Sequence, residues 1–331
     1  MPICSRPKRA GVSPPRRAPR ERSSQADSFL KQVTPMKLPI TVVVLSYNRG
    51  SCLLETVAAL RALPEAPTII VVDNHSTDGT PARLRQRFPD VRLIVLPENR
   101  GAAGRNVGLR AAATPYVALC DDDTRWAPGA LARACALFER APDVAVLAAR
   151  VLVGAAEVED PTCKLMAASP LPRAALPGPS LVGFMAGACV LRREPVLAAG
   201  GFESRLFIGG EEALLALDLL DAGWRLCYCV ELTVHHYPSS VRDAAARRRL
   251  LLRNAIWVAL LRRAPPAALI SIARALREAA AQDILWPVLR ATLRGLNWTL
   301  RARRRLDPRV EQMLRLLENE RPPTAMATGD A

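Results

Sequence analysis

Between residues 40 and 120, short apolar runs and amphipathic stretches alternate, and every apolar run stops at a polar cluster. The runs 40–45, 68–72, 91–96 and 116–120 read as strands, and 51–63, 80–88 and 102–113 carry helical spacing. A strand–helix alternation at this spacing predicts a mostly parallel sheet covered by helices, an α/β fold. In such sheets ligands bind beyond the carboxyl ends of the strands. The four clusters therefore mark one rim: Ser46-Tyr47-Asn48-Arg49, Asp73-Asn74, Glu98-Asn99-Arg100-Gly101 and Asp121-Asp122-Asp123.

The aspartate triplet carries the most chemistry. Three carboxylates at a strand end repel one another, and a fold tolerates them where a hard cation sits among them. Mg²⁺ or Mn²⁺ prefers such oxygen donors. A cation held there would clamp a diphosphate. The bland alternative is a solvated acidic turn, which the three companion clusters weaken. On an extended backbone Asp121 and Asp123 point the same way and form the expected metal pair. Asp122 points away, to bond a ribose or brace the loop.

The neighbouring clusters suit a nucleotide. The turn at Ser46, Tyr47, Asn48 and Arg49 offers backbone donors and a side-chain plane for a base. Asp73 can accept from the imide N–H of uracil or thymine; its alternative role is an Asx-turn or helix cap. Asn99, Gly101 and Arg105 precede a helix whose N-terminus favours anions. The Gly101, Gly104, Gly108 spacing is not a dinucleotide fingerprint, because it follows the third strand and lacks the acidic ribose partner.

Farther on, Glu211 and Glu212 follow Gly209-Gly210 and open a helix. A carboxylate raised by burial and an acidic neighbour can take a proton from a hydroxyl. Ordinary charge at a helix N-terminus is the competing reading. Only one of His235 and His236 can face a site from a strand. Leu232, Val234 and His236 share the apolar face, so His235 is the expected outward-facing residue and His236 the alternate. Trp126 and Trp224 are either sugar-stacking or core residues.

In this order the motifs resemble family 2 glycosyltransferases with the GT-A fold, bacterial rhamnosyl- and galactofuranosyl-transferases in particular. The stretches are 44–49, 72–80, 99–108, 121–123, Gly201-Phe202, Gly210-Glu211-Glu212 and His235-His236, spanning roughly residues 39–240. The resemblance implies a nucleotide-diphosphate sugar donor, UDP- or dTDP-linked, bound by Ser46, Tyr47, Asn48, Arg49, Asp73, Asn99, Gly101, Arg105, Asp121 and Asp122. It implies Mg²⁺ or Mn²⁺ on Asp121 and Asp123 with a histidine completing the shell, His235 by the face argument. It implies direct displacement with inversion. Glu212 matches the family's base and Glu211 its neighbour. Where many members continue with a third acid and an arginine, this chain has Leu214 and Asp218, which leaves the acceptor side less defined. A nucleotidyltransferase and an inactive scaffold are the rival readings.

Composition sets the frame. Residues 1–36 carry 8 Lys/Arg against 2 acids, 37–239 carry 20 against 21, and 240–331 carry 18 against 8. A near-neutral body has two basic ends. The expected organisation is a disordered basic tail (1–36), a catalytic domain (37–240), a basic helical extension (241–320) and a second disordered tail (321–331). Met36 is an alternative start. Arginines, tryptophans and short apolar runs on the extension suit a membrane surface and a polyprenyl-linked or glycan acceptor; helical packing or homo-oligomerisation competes. Few aromatics and no recognisable module argue against nucleic acid. Eight scattered cysteines without a CxxC pair, and no apolar leader, suit a reduced cytoplasmic setting, on the inner membrane face if peripheral. Residues 154–180, rich in Pro and Gly, read as a long lid or acceptor loop.

Overall fold

The computed structural model describes residues 38–238 and 244–320. The tails expected at 1–36 and 321–331 lie outside the described residues.

The expected alternation is present. β1 (Ile40–Ser46), α1 (Gly50–Arg61), β2 (Thr68–Asp73), α2 (Thr80–Arg87), β3 (Arg92–Val95), α3 (Arg105–Ala111) and β4 (Tyr116–Asp121) follow one another. A 3₁₀ turn, Gly101–Gly104, leads into α3. Strands covered on both faces read as continuous apolar runs, and β1 is buried at six of its seven residues. Parallel pairing of β1 with β2 and β4 sets Ser46 beside Asp73 and Leu45 beside Asp121. That register brings the polar clusters to one rim.

After β4 the chain departs from simple alternation. A tight turn leads into β5 (Thr124–Trp126), which hydrophobic spacing does not reveal. Next come α4 (Ala130–Arg140) and β6 (Val144–Val153). α4 buries Leu131, Ala134, Cys135 and Phe138, the i, i+3, i+4, i+7 face of a helix on a core. Leu131 and Phe138 each contribute about 1.5–3 kcal/mol by this burial.

The 154–180 stretch is partly folded rather than an open loop. It contains β7 (Val158–Glu159) and α5 (Pro161–Ala167), capped by Asp160, which accepts from Thr162 N at 2.7 Å. Cys163 and Met166 are buried from this insert. β8 spans Ala188–Arg192. α6 (Arg193–Ala198), α7 (Glu211–Asp221) and β9 (Arg225–His236) complete the sheet region. β9 is a single strand interrupted by a bulge. Pairing with β6 jumps from Ala149↔Cys229 to Arg150↔Thr233, and Val230 is left exposed.

The sheet order is β3-β2-β1-β4-β8-β6-β9-β5, with β7 on β6. β3, β2, β1, β4, β6 and β9 run the same way; β8 and β5 oppose them. The sheet is mostly parallel, as expected, and mixed across its second half.

Beyond the sheet lie α8 (Ala244–Arg262), α9 (Pro265–Ala281), α10 (Leu285–Arg294), α11 (Leu296–Arg301) and α12 (Pro308–Glu320). They pack on the α/β body. Leu306 and Val310 join its main hydrophobic core, and Val258, Met313 and Leu314 pack against it. Asp218 of α7, nearly buried, receives both arms of Arg262 at 2.5 and 2.9 Å and Arg304 at 2.9 Å. Among the described residues no helix is long and apolar enough to cross a membrane. Trp126 is core, donating its indole N–H to Leu119 O at 3.1 Å.

Candidate active site

A cleft of about 740 Å³ opens above the carboxyl ends of β1, β2 and β4. Ser46, Tyr47, Arg49, Asn99, Gly101, Arg105, all three aspartates, Glu211 and Glu212 line it. Eleven of the residues read from sequence therefore meet in one cavity. Asn48, Asp73 and His235 do not line it.

The aspartates are not arranged as the strand parity predicts. β4 ends at Asp121, and Asp122 and Asp123 form a turn, so the extended-backbone argument stops one residue too soon. Asp121 Oδ1 accepts from Arg105 Nη2 at 2.5 Å. Asp122 does not point away. It accepts from Ser46 Oγ at 2.9 Å and shares Arg49 with Asp123, at 3.3 and 2.8 Å. Burial, together with the neighbouring Asp123 and Asp121, raises the Asp122 carboxyl to about 6 against the pull of Arg49 and Ser46.

The histidine facing the cleft is His236, not His235. His236 Nε2 lies 3.7 Å from Asp123 Oδ1, whereas His235 Nδ1 lies 3.2 Å from Glu157 on the other side. The face that is core at Val234 opens onto the cleft at the strand's end. There β9 pairs with β5, setting Thr124 opposite His236, and Tyr237 N donates to Asp123 O at 2.8 Å.

Asp73 divides its duties. One carboxylate oxygen accepts from Ser76 N at 2.9 Å, the turn role expected as its alternative. The other, Oδ2, is buried without a hydrogen-bond partner. Its neighbour Asn74 lines the cleft, donating to Gly101 O at 3.0 Å and accepting from Arg100 N at 2.9 Å. Asn48 accepts from Thr77 N at 2.7 Å and so ties the β1 and β2 turns together.

Glu211 and Glu212 begin α7 across the cleft. Glu211 is 2% exposed, and its Oε2 has no hydrogen-bond partner. Burial and the adjacent Glu211 raise Glu212 to about 8, with Arg105 opposing the shift. Arg105 is buried, and its charge is held by Asp121 together with Glu212 and Glu211. It thus couples the two acidic groups electrostatically.

Sequence reasoning missed the walls of the cleft. A Cβ at Gly101 would stand 2.0 Å from Phe207 O, so only glycine lets the 99–104 segment meet the 204–210 loop. A Cβ at Gly187 would stand 2.4 Å from Asp121 Oδ2. The run Met185-Ala186-Gly187-Ala188 lines the cleft, and its small residues were the available signal. Arg247, Leu250 and Leu251 of α8 also line it. From α8, the buried Asn254 donates to Leu206 O at 2.8 Å and Ile208 O at 3.0 Å, fixing the loop that delivers the glutamates. No local spacing predicts a contact spanning more than forty residues.

Donor chemistry in the cleft suits a hard divalent ion: carboxylate oxygens of Asp121 and Asp123, with the His236 imidazole beside Asp123. Arg49 and Arg105 balance those acids in the structure. Among the described residues no three Asp, Glu, His or Cys side chains converge closely enough to hold a metal by themselves.

Residues 41–200 match the family described as glycosyl transferase family 2. The N-acetylglucosaminyl-diphospho-decaprenol L-rhamnosyltransferase of Mycobacterium tuberculosis is 29% identical over 247 residues, covering 62% of this chain and 79% of that protein. The pre-mycofactocin glycosyltransferase of the same organism is 30% identical over 231 residues, covering 65% of this chain and 46% of that one. Among solved structures, Staphylococcus aureus TarS 1-349 in complex with UDP-GlcNAc aligns with a TM-score of 0.56 at 15% identity, over 83% of each chain. A mannosyltransferase from Pyrobaculum calidifontis in complex with GDP-Man and Mn²⁺ aligns with a TM-score of 0.51 at 21% identity, over 85% of each chain. The fold and the family match agree: residues 41–200 carry the glycosyl transferase family 2 pattern on a GT-A fold, and the protein is a glycosyltransferase.

Proposed function

We propose that this glycosyltransferase transfers a sugar from a UDP- or dTDP-linked donor to a hydroxyl of a lipid-linked glycan, with inversion at the anomeric carbon. The observation that carries the reading is the single cleft shared by the aspartate turn and the Glu211–Glu212 pair, with Arg105 between them. One group suits a diphosphate leaving group and the other an attacking hydroxyl. Inversion needs a base on the face opposite the departing group, and no covalent intermediate.

The donor's base lies against Tyr47; Asp73 Oδ2, unpartnered but buried behind the cleft wall, accepts its imide N–H once the 46–49 turn shifts to admit the base. Ser46, Arg49, Asn99, Gly101 and Arg105 serve the diphosphate and ribose, with Asp121 and Asp122. Arginine matches phosphate geometry in a bidentate manner. Mg²⁺ or Mn²⁺ would be held by Asp123 and Asp121, with His236 in place of His235. When bound, it neutralises charge on the departing diphosphate. A fold neighbour solved with GDP-Man and Mn²⁺ supports the metal, and a relative named for a diphospho-decaprenol substrate supports the lipid-linked acceptor.

Glu212 is the base and Glu211 its tuner. A free glutamate near pH 7 is a weak base, and burial beside a second carboxylate raises its proton affinity toward that of the task. Glu211 keeps the site acidic and supplies an unpaired oxygen that can orient the acceptor hydroxyl.

The test is a panel of nucleotide sugars scored by thermal stabilisation with and without Mn²⁺, followed by product analysis. Metal-dependent stabilisation and release of nucleoside diphosphate are expected. Release of pyrophosphate would instead indicate a nucleotidyltransferase, and donor binding without turnover an inactive scaffold.

A further inference from the structure

A second cavity, of about 1170 Å³, opens between α8, α10 and α11. Five arginines line it, Arg205, Arg249, Arg253, Arg290 and Arg294, and no acidic side chain does. The rest of the lining is apolar, with three tryptophans among it. Trp257 and Trp298 meet edge to face with centroids 5.5 Å apart, and Trp257 is fixed by donating to Thr292 O at 3.0 Å. Arg253 lies 4.2 Å over Trp257 and Arg205 4.8 Å over Trp298. At the edge, Trp286 is 78% exposed and Leu293 65%.

The charge is unbalanced. Arg205 meets Glu203 at 3.2 Å, but Arg249, Arg290 and Arg294 form no ion pair among the described residues. Burial and the neighbouring Arg249 lower the proton affinity of Arg253. Crowded cations beside apolar rings are relieved by an anion that also carries apolar surface.

We propose that this groove binds the isoprenoid-diphosphate part of the acceptor. The arginines take the diphosphate as charge-assisted, bidentate partners. The tryptophans and Leu293 cover the first isoprene units. This deepens the lipid-linked acceptor reading above and rests on it. Two observations favour that occupant over others. Leu250 lines both this groove and the catalytic cleft. Arg253 donates to Leu206 O at 2.9 Å, next to Phe207, which lines the cleft. The groove therefore adjoins the cleft that holds the glutamates. A neutral glycan would leave the five arginines without an anion, and the donor has its own rim.

Calorimetric titration of the full-length protein tests the proposal, using farnesyl diphosphate, inorganic pyrophosphate and phosphatidylglycerol vesicles as separate probes. Farnesyl diphosphate binds saturably and about tenfold more tightly than pyrophosphate, and the Arg290→Ala/Arg294→Ala double variant loses about tenfold in affinity. Trp286→Ala, at an exposed position that folding does not need, weakens the same titration several-fold. Unchanged affinity in these variants, equal binding of pyrophosphate, or binding to vesicles alone would overturn it. Thermal stabilisation by a nucleotide sugar, followed in parallel, reads the catalytic cleft alone. Its retention shows a variant to be folded. Its absence from the wild type would sink the proposed donor chemistry and leave the groove's own test standing.

Discussion

The two walls of the catalytic cleft are built by different means. The wall formed by β1, β2 and β4 is local: each polar cluster follows its own strand, and parallel register aligns the strand ends. The opposite wall is assembled across the chain. The 204–210 loop and α7 are held by α8 through Asn254 and Arg253, and α8 is tied back by Asp218. A local wall tolerates change elsewhere in the molecule. An assembled wall transmits it, so a substitution on the helical extension can reach the glutamates without touching the aspartates.

The sharpest way to break this contrast is Asp123→Ala. It removes a cleft carboxylate from the local wall and leaves the packing of the extension alone. Turnover should fall by about 10³-fold or more, in line with losing stabilisation of a departing charge. Mn²⁺-dependent stabilisation by the donor should vanish with it. Normal turnover in a steady-state assay would remove the metal from the proposed function.

Glu212→Gln acts on the other wall. Transfer should fall by roughly 10²–10⁴-fold, the usual range for a lost general base. Donor stabilisation should persist, because the aspartate turn is unchanged. A loss of only a few-fold would move the base to Glu211.

The difference between the walls is also the difference between what the sequence discloses and what it conceals. Ser46, Arg49 and Asp121 are legible because a continuous apolar run ends beside each, and parallel sheets bind at that end. Asp122 is misread because β4 stops at Asp121 and a turn reverses the expected parity. His235 is misread because the apolar face of β9 leaves the core before the strand ends. Gly187, Phe207, Asn254 and Leu250 are hidden because their roles depend on distant partners. Asp218, seen in sequence as a departure from the family's usual acids, proves to be a buried ion-pair hub.

Asp218→Ala probes the assembled wall through its foundation. It would strand Arg262 without a buried partner and leave Arg304 only its longer contact with Asp221, at 3.7 Å. Breaking a buried pair by removing one side costs about 3–5 kcal/mol. A chemical denaturation curve should register that loss, and acceptor-dependent rate should fall before donor affinity does. Equal losses in both would mean that the two walls are not independent.

The paired variants His236→Ala and His235→Ala sharpen the local wall. The first should cost about 10–100-fold in metal affinity or activity, the range seen when partners of a metal site are removed. The second, on the side of Glu157, should change activity by less than about twofold, as surface substitutions do. The reverse order would restore His235 to the site.

The smallest expected effect is on stability against pH, and it isolates Glu212. Its carboxyl is raised to about 8 in the folded protein by burial and by Glu211, against an ordinary value of 4.5. Between those values the folded state binds a proton that the unfolded chain has released. Stability from this group is therefore full below about pH 4.5 and is lost as pH rises through about 8. The rate of transfer runs the other way, because a base must be deprotonated, so it climbs over the same window. Arg105 already opposes the shift within that value, and the unfolding free energy declines across the window. Thermal melts from pH 5 to 8 in the absence of donor would register it, and Glu212→Gln should flatten both slopes together. If the rate limb vanished while the stability slope remained, the proton lost on the approach to pH 8 would belong to another group, and the assembled wall would hold its base elsewhere.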